Sequence, residues 1–256
     1  LMDFDKILEK ILNRLNEYQV KGSFKFDIDN LENIDKVNDI IEDVLKEEGY
    51  YDEIKDYRKV FDDNLKDVIS QYKSFGDIST SDLKAFNQVA FDNFYQNLAI
   101  NVTETNIKQP IKDALLQYIA SGGKYKDFKT TVRDIMTSKN IEGNIDVVAR
   151  EYATQYKRSQ GQILANKFNV QYFMYKGSEI ETTRCFCEQR VGKIFSKKTI
   201  ESWADLTWKG KIKGTNSTNI YQVCGGWNCI HDLVPISEAR AKSEGFDNYN
   251  DSECDL

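Results

Sequence analysis

Thr183-Arg184-Cys185-Phe186-Cys187 and, further on, Cys224-Gly225-Gly226-Trp227-Asn228-Cys229-Ile230-His231 bracket the segment on which the reading of this chain turns. Four of its five cysteines and its one histidine fall between Cys185 and His231. Soft ligands gathered in so short a stretch point to a single site. Cys185 and Cys187 are two apart, and on an extended chain such residues share a face. The same holds for Cys229 and His231. Cys224 and Cys229 flank Gly225-Gly226, a pair suited to a tight turn. Cys185, Cys187, Cys224, Cys229 and His231 therefore offer five donors where tetrahedral zinc needs four. Two other readings stand beside a zinc staple. The thiols are small buried hydrophobes with a core histidine, or Cys187 and Cys229 pair as a disulfide.

Outward from this segment the pattern is helical. Phe4, Ile7, Leu8, Ile11, Leu12 and Leu15 recur at helical spacing, and so do Ile34, Val37, Ile40, Ile41, Val44 and Leu45. The spacing predicts helices over the first twenty residues, over Leu31 to Glu48 with Gly49 as a stop, and over Asp52 to Lys73. Ser79-Thr80-Ser81-Asp82 is a capping signal for a helix over Leu83 to Ile100. Further helices are expected over Ile111 to Ala120, stopped by Gly122-Gly123, then over Tyr125 to Thr137 and Ile145 to Phe168. Phe24 to Ile28 alternates and fits a strand or a loop. Past Asn169 the texture is β-prone. Val170 to Tyr175 and Lys193 to Phe195 are expected as strands, Ser196 to Trp203 as a turn of helix, and Gly210 to Asn219 as a loop.

The fold class expected is mainly α, closed by a small metal-stapled α+β module with short strands. Its parts are an acidic helical region over 1–102, a central helical region over 103–168, the Cys/His module over 169–237 and a polar acidic tail over 238–256.

Charge and composition narrow the function. The chain has 256 residues and a net charge of −6. Leu1 to Ile100 holds 13 basic and 22 acidic side chains, so the remaining 22 basic and 19 acidic residues leave the rest slightly positive. Lys197, Lys198, Lys209, Lys211 and Lys213 form the basic stretch that a zinc-ribbon-like nucleic-acid binder would use, with Trp203 and Trp208 as stacking surfaces. In an acidic chain the plainer reading is a solvated lysine loop over core tryptophans. No stretch approaches the ~20 apolar residues of a membrane span. The first residues lack a secretory pattern, so a reducing cytoplasm is the expected setting. A single histidine excludes sites built on two or more histidines. A Cys–His dyad stays formally open, with nothing to select the cysteine. Phosphate-binding glycine spacings are absent.

The order of Thr183-Arg184, Phe186-Cys187, Gly192-Lys193, Phe195, Gly225-Gly226, Asn228-Cys229, His231 and Pro235 resembles the C-terminal signature of the phage minor head proteins, the Mu F-like head-morphogenesis group. The helices from Thr103 occur in that group's order, so the resemblance covers roughly Thr103 to Ser237. It implies a non-enzymatic component of a tailed-bacteriophage virion, present in few copies near the portal and made in the host cytoplasm. Portal or major capsid protein is the implied partner, and departure with the DNA a further expectation. It also marks Cys187, Cys229 and His231 as the recurrent soft ligands, with Cys185 and Cys224 as additions of this chain. Ile230 stands where many members carry a basic residue, which weakens direct DNA contact at that turn. A toxin or nuclease effector is the remaining alternative. Such fusions add a C-terminal domain, whereas about twenty residues follow the signature here.

Overall fold

The computed structural model describes residues 3–21, 33–121, 128–134 and 141–248. The chain is mainly helical, with one three-stranded antiparallel sheet near its C-terminus. It divides into two compact units, each discontinuous in sequence: Leu1–Arg58 with Asp92–Ala149, and Lys59–Phe91 with Arg150–Leu256. These divisions fall inside or beside helices rather than at the compositional breaks near 102 and 168. The segment Phe24 to Ile28 and the Gly122-Gly123 break lie outside the described residues.

In the first unit, α1 (Phe4–Lys21) and α2 (Asn33–Glu47) bury the stripes that their spacing requires. Ile11, Leu12 and Leu15 of α1 and Val37, Ile41, Val44 and Leu45 of α2 are fully buried. Each such aliphatic side chain is worth about 1.5–3 kcal/mol of transfer free energy. Along the wet edge, Lys10 Nζ lies 2.7 Å from Glu48 and 3.0 Å from Glu47, and Lys6 Nζ lies 2.8 Å from Glu48. Gly49 turns the chain at φ 75°, a left-handed backbone open to glycine. The helix expected from Asp52 to Lys73 is two helices, α3 (Tyr50–Asp56) and α4 (Arg58–Tyr72), meeting at Tyr57.

A larger departure follows α5 (Thr80–Gln96). The chain does not leave the helix near Thr103. It widens into two π-helical stretches, Asn97–Val102 and Glu104–Lys108, and continues directly into α6 (Gln109–Ser121). Pro110 has no N–H to give to the preceding turn, and its ring crowds that turn. The widened stretches lie immediately before it, where the helix must accommodate both defects. Thr103, at 0% exposure, donates to Leu98 O at 3.1 Å and meets Tyr50 Oη at 3.0 Å, so the altered ladder is satisfied from the side. Residues 128–134 are helical (α7), within the stretch expected from Tyr125 to Thr137.

The second unit holds α4 and most of α5, and it holds α8 (Ile141–Lys167) from Arg150 onward. Phe61, Leu65, Val68 and Tyr72 of α4 are buried, as are Leu164 and Ala165 of α8. The helix α8 ends where the pattern breaks, because Asn169 takes φ 51° and Val170 N returns a hydrogen bond to Ala165 O at 2.8 Å.

The strand β1 (Tyr172–Lys176) then runs between β2 (Ile194–Ser196) and β3 (Asp232–Ile236), with Phe173 opposite both Phe195 and Pro235. Alternation on β1 sets the two faces. Phe173 and Tyr175 enter the main core with Phe186, Trp203 and Trp208, while Tyr172 and Met174 pack with Ile194, Ile236 and Ala241. Ala241 belongs to α12 (Glu238–Glu244), whose N-cap Ser237 accepts from Arg240 N. The polar segment after Ser237 is thus not a tail throughout. Its first two turns cover the second face of the sheet.

One prediction concerns the α1–α2 edge. Hydrogen bonds from Lys10 and then Lys6 pull the Glu48 carboxyl down from 4.5 to about 2. A depressed carboxylate contributes stability above its unfolded value and loses it as pH falls toward the folded one. Glu48→Gln should therefore flatten the loss of α1–α2 stability between pH 4.5 and 2. Carboxyl-detected NMR of the wild type should place the Glu48 midpoint near the lower value; a midpoint near 4.5 would contradict the pairing.

Candidate metal centre

Three short pieces of chain bring the soft ligands together. Arg184 is extended and opens α9 (Cys185–Glu188), with Cys187 N and Glu188 N both donating to Arg184 O at 2.7 and 2.9 Å. This corrects the extended geometry expected for Cys185 and Cys187. On a helix, residues two apart point some 200° away from each other. Cys187 therefore faces inward at 1% exposure, while Cys185 is exposed and disulfide-bonded. Cys185 leaves the ligand set. Cys229 and His231 behave as expected, both buried on one side of an extended run with Ile230 exposed between them. Cys224 is fully buried at the end of α11 (Ile220–Val223).

The donor atoms of Cys187, Cys229 and His231 lie within 4.8 Å of one another, a buried group that can hold a metal ion. Cys229 Sγ and His231 Nδ1 are 3.7 Å apart. Two donors of a tetrahedral zinc, at ordinary Zn–S and Zn–N lengths, stand about 3.6 Å apart. Gly225 leaves space at the same point. A Cβ there would lie 2.3 Å from Cys187 Sγ, 2.9 Å from Cys229 Sγ and 3.0 Å from Tyr175 Oη. Gly177 performs the same service for the imidazole. It falls one step beyond the Lys176↔Asp232 pair, and a Cβ there would lie 2.3 Å from His231 Cδ2. The residues thus fit a soft divalent ion in size and chemistry.

The three thiols influence one another's ionisation. Interaction with Cys187 and Cys224, against the cost of burial and helped by His231 and Arg158, drives the Cys229 thiol far down. Cys187 is pushed up by Cys229 and by burial, and Cys224 by burial and Cys229. Metal uptake at this group must then release protons. Tyr175 reaches Cys187 Sγ at 3.2 Å and Cys229 Sγ at 3.8 Å, and its ring stacks on His231 at 5.3 Å. Burial first, and then the neighbouring thiols, hold that phenol protonated, so it donates to Cys187 Sγ.

Residue spacing carries no sign of the partners supplied by α8. Arg158, 6% exposed, donates Nη1 to Gln222 O at 3.0 Å and Nη2 to Cys229 O and His231 O at 2.6 and 2.5 Å. Its Nε meets Asp232 at 3.2 Å, and Lys157 shares that carboxylate at 2.8 Å. Burial opposes its charge, but Cys224, Cys229 and Asp232 outweigh the loss. Two turns earlier the buried Glu151 accepts from Asn228 N at 2.6 Å. Arg158 and Glu151 are seven apart, hence on one face of the helix. Nothing in their spacing announces a loop 70 residues away.

The five lysines are not assembled into a surface of the same kind. Lys211 Nζ donates to Ala204 O and Leu206 O at 2.6 and 2.7 Å, and Lys197 Nζ to Asn166 Oδ1 at 3.3 Å. Lys198, Lys209 and Lys213 are exposed. Trp203 and Trp208 are buried, and Trp208 Nε1 donates to Gly225 O at 2.9 Å, so neither offers a stacking face. The exposed aromatic of this region is Trp227, at 48%. No helix among the described residues is long and apolar enough to cross a membrane.

Two substitutions probe the centre. Gly225→Ala should abolish metal uptake, because its methyl overlaps Cys187 Sγ. Arg158→Lys keeps the charge but cannot span four acceptors, and should cost about 3 kcal/mol in denaturant unfolding, as for a broken buried ion pair. A loss below about 1 kcal/mol, the value of an exposed pair, would contradict the arrangement. No protein-family model, curated protein or solved structure matches the chain, so the reading of this site rests on its own residues and their order.

Proposed function

We propose that this chain is a minor capsid, or head-morphogenesis, protein of a tailed bacteriophage, acting without catalysis in virion assembly near the portal. The observation that supports this reading is a coincidence of two independent selections. The resemblance to the Mu F-like signature marks Cys187, Cys229 and His231 as its recurrent ligands. Those same three residues have their donor atoms within 4.8 Å of one another in a buried group. Cys185, which the resemblance sets aside as an addition, is exposed.

On this reading the ion is zinc and its role is structural. Two thiolates and an imidazole are a zinc-type donor set. The strands number five, three and five residues, and the loop that carries Cys224 to His231 has no regular structure of its own. A metal that ties this loop to α9 supplies order where the chain has no helix or strand of its own. The exposed acidic faces of the N-terminal helices are the surfaces offered to portal or major capsid protein. The virion, after assembly in the host cytoplasm, is the proposed location. A nucleic-acid-binding role is the weaker reading, because Trp203 and Trp208 are buried and Lys211 and Lys197 are already engaged.

Two measurements test the proposal. The purified chain should carry about one zinc, and Cys229→Ala should lose both the metal and the protease resistance of the region after residue 169. Deleting the gene from its phage should leave heads empty or non-infective. Filled, infective heads at normal yield would refute the assembly role.

A further inference from the structure

The backbone at Cys224 raises a question that the three-ligand group leaves open. Gly226 N donates to Val223 O at 2.8 Å, which makes Val223–Gly226 a hydrogen-bonded turn. Cys224 occupies its second position with φ 50° and ψ −119°. These are the angles of a type II′ turn, whose second position is ordinarily glycine because a Cβ is strained there. The next two residues are glycines, yet the strained position carries a side chain. That side chain is 0% exposed and its thiol interacts with Cys229, a member of the ligand trio, and with Tyr175, which touches all three of its members. Non-glycine residues held in such backbone are concentrated at functional sites.

Resting on the metal reading given above, we infer that Cys224 is the fourth ligand, and that the centre is a closed Cys3His site. The chain spends backbone strain to place a third sulfur beside Cys187 and Cys229. Cys224 is not one of the three residues whose donors lie mutually within 4.8 Å, so in the closed site its thiol, which already interacts with Cys229, turns toward the other two. Three thiolates and an imidazole leave no open position for water or substrate, which is the signature of a structural rather than a catalytic zinc. Coordination also gives a reason for the cysteine. Without a metal the turn would be better served by glycine.

That contrast supplies the test. Cobalt(II) is titrated into the full-length chain and into Cys224→Gly, Cys224→Ser and Cys229→Ser variants, and the sulfur-to-cobalt charge-transfer band is read per bound ion. The wild type should show a tetrahedral spectrum. Both Cys224 variants should lose about a third of the charge-transfer intensity and about tenfold or more in affinity. Cys224→Gly suits the turn, so its metal-free form should melt no lower than the metal-free wild type, which separates loss of a ligand from loss of the fold. An unchanged band and affinity in Cys224→Gly would overturn the fourth-ligand assignment while leaving Cys187, Cys229 and His231 in place. Absence of cobalt binding by the wild type would overturn the metal reading itself, and this inference with it.

Discussion

A buried guanidinium holds the C-terminal module together. Arg158 projects from α8 and spends its donors on the carbonyls of Gln222, Cys229 and His231 and on the carboxylate of Asp232. A charge placed at 6% exposure is tolerable only if every donor finds a partner. The loop between α11 and β3 has the complementary need, since the Cys229 and His231 carbonyls turn toward Arg158 with no strand to pair them. Each side satisfies the other. Glu151 completes the match by accepting the amide of Asn228, so one helix face addresses both polarities of the loop backbone.

With the loop held in this way, the geometry of the thiols follows from small details. Gly177 and Gly225 leave room where a methyl would strike His231 or Cys187. Tyr175 is carried inward by the alternation of β1 and lays its ring along the imidazole. The helical turn of α9 separates two cysteines that are near neighbours in sequence, sending Cys187 to the centre and Cys185 to the surface. The core behind the centre is aromatic, with Phe186 stacked on Trp208 at 4.1 Å and Trp203 edge-on to Tyr175 and Phe195. Aromatic packing of this kind adds stiffness beyond its area, and it is where the tryptophans that could have served a nucleic-acid surface are consumed.

The helical part of the first unit obeys simpler rules. Its apolar stripes recur at helical spacing and are buried accordingly. Spacing misleads at Tyr57, where one expected helix is two, and in the continuous run from Thr80 to Ser121. A change of texture near Thr103 reads as a break, whereas the backbone absorbs Pro110 by widening its turns. Periodicity reports which side chains face inward. It carries no signal for a hydrogen-bond register that slips by one residue, because the slip is satisfied by Thr103 and Tyr50, whose partnership spans 53 positions.

Sequence alone determined the helical class, the placement of two of the three strands, and the segment in which the soft ligands meet. Those properties depend on local periodicity and composition, which are one-dimensional. It could not determine the third strand, Asp232–Ile236, whose Pro235 and Asp232 are poor strand formers tolerated at a sheet edge. Nor could residue spacing separate Cys185 from Cys187, since the side each one faces depends on whether Arg184 opens a helix or continues an extended chain. The roles of Arg158 and Glu151 were equally hidden, because a charge on a helix gains meaning only from the backbone packed against it. Tertiary structure decided these points because each depends on backbone pairing, or on a polar partner distant in sequence, that spacing does not encode.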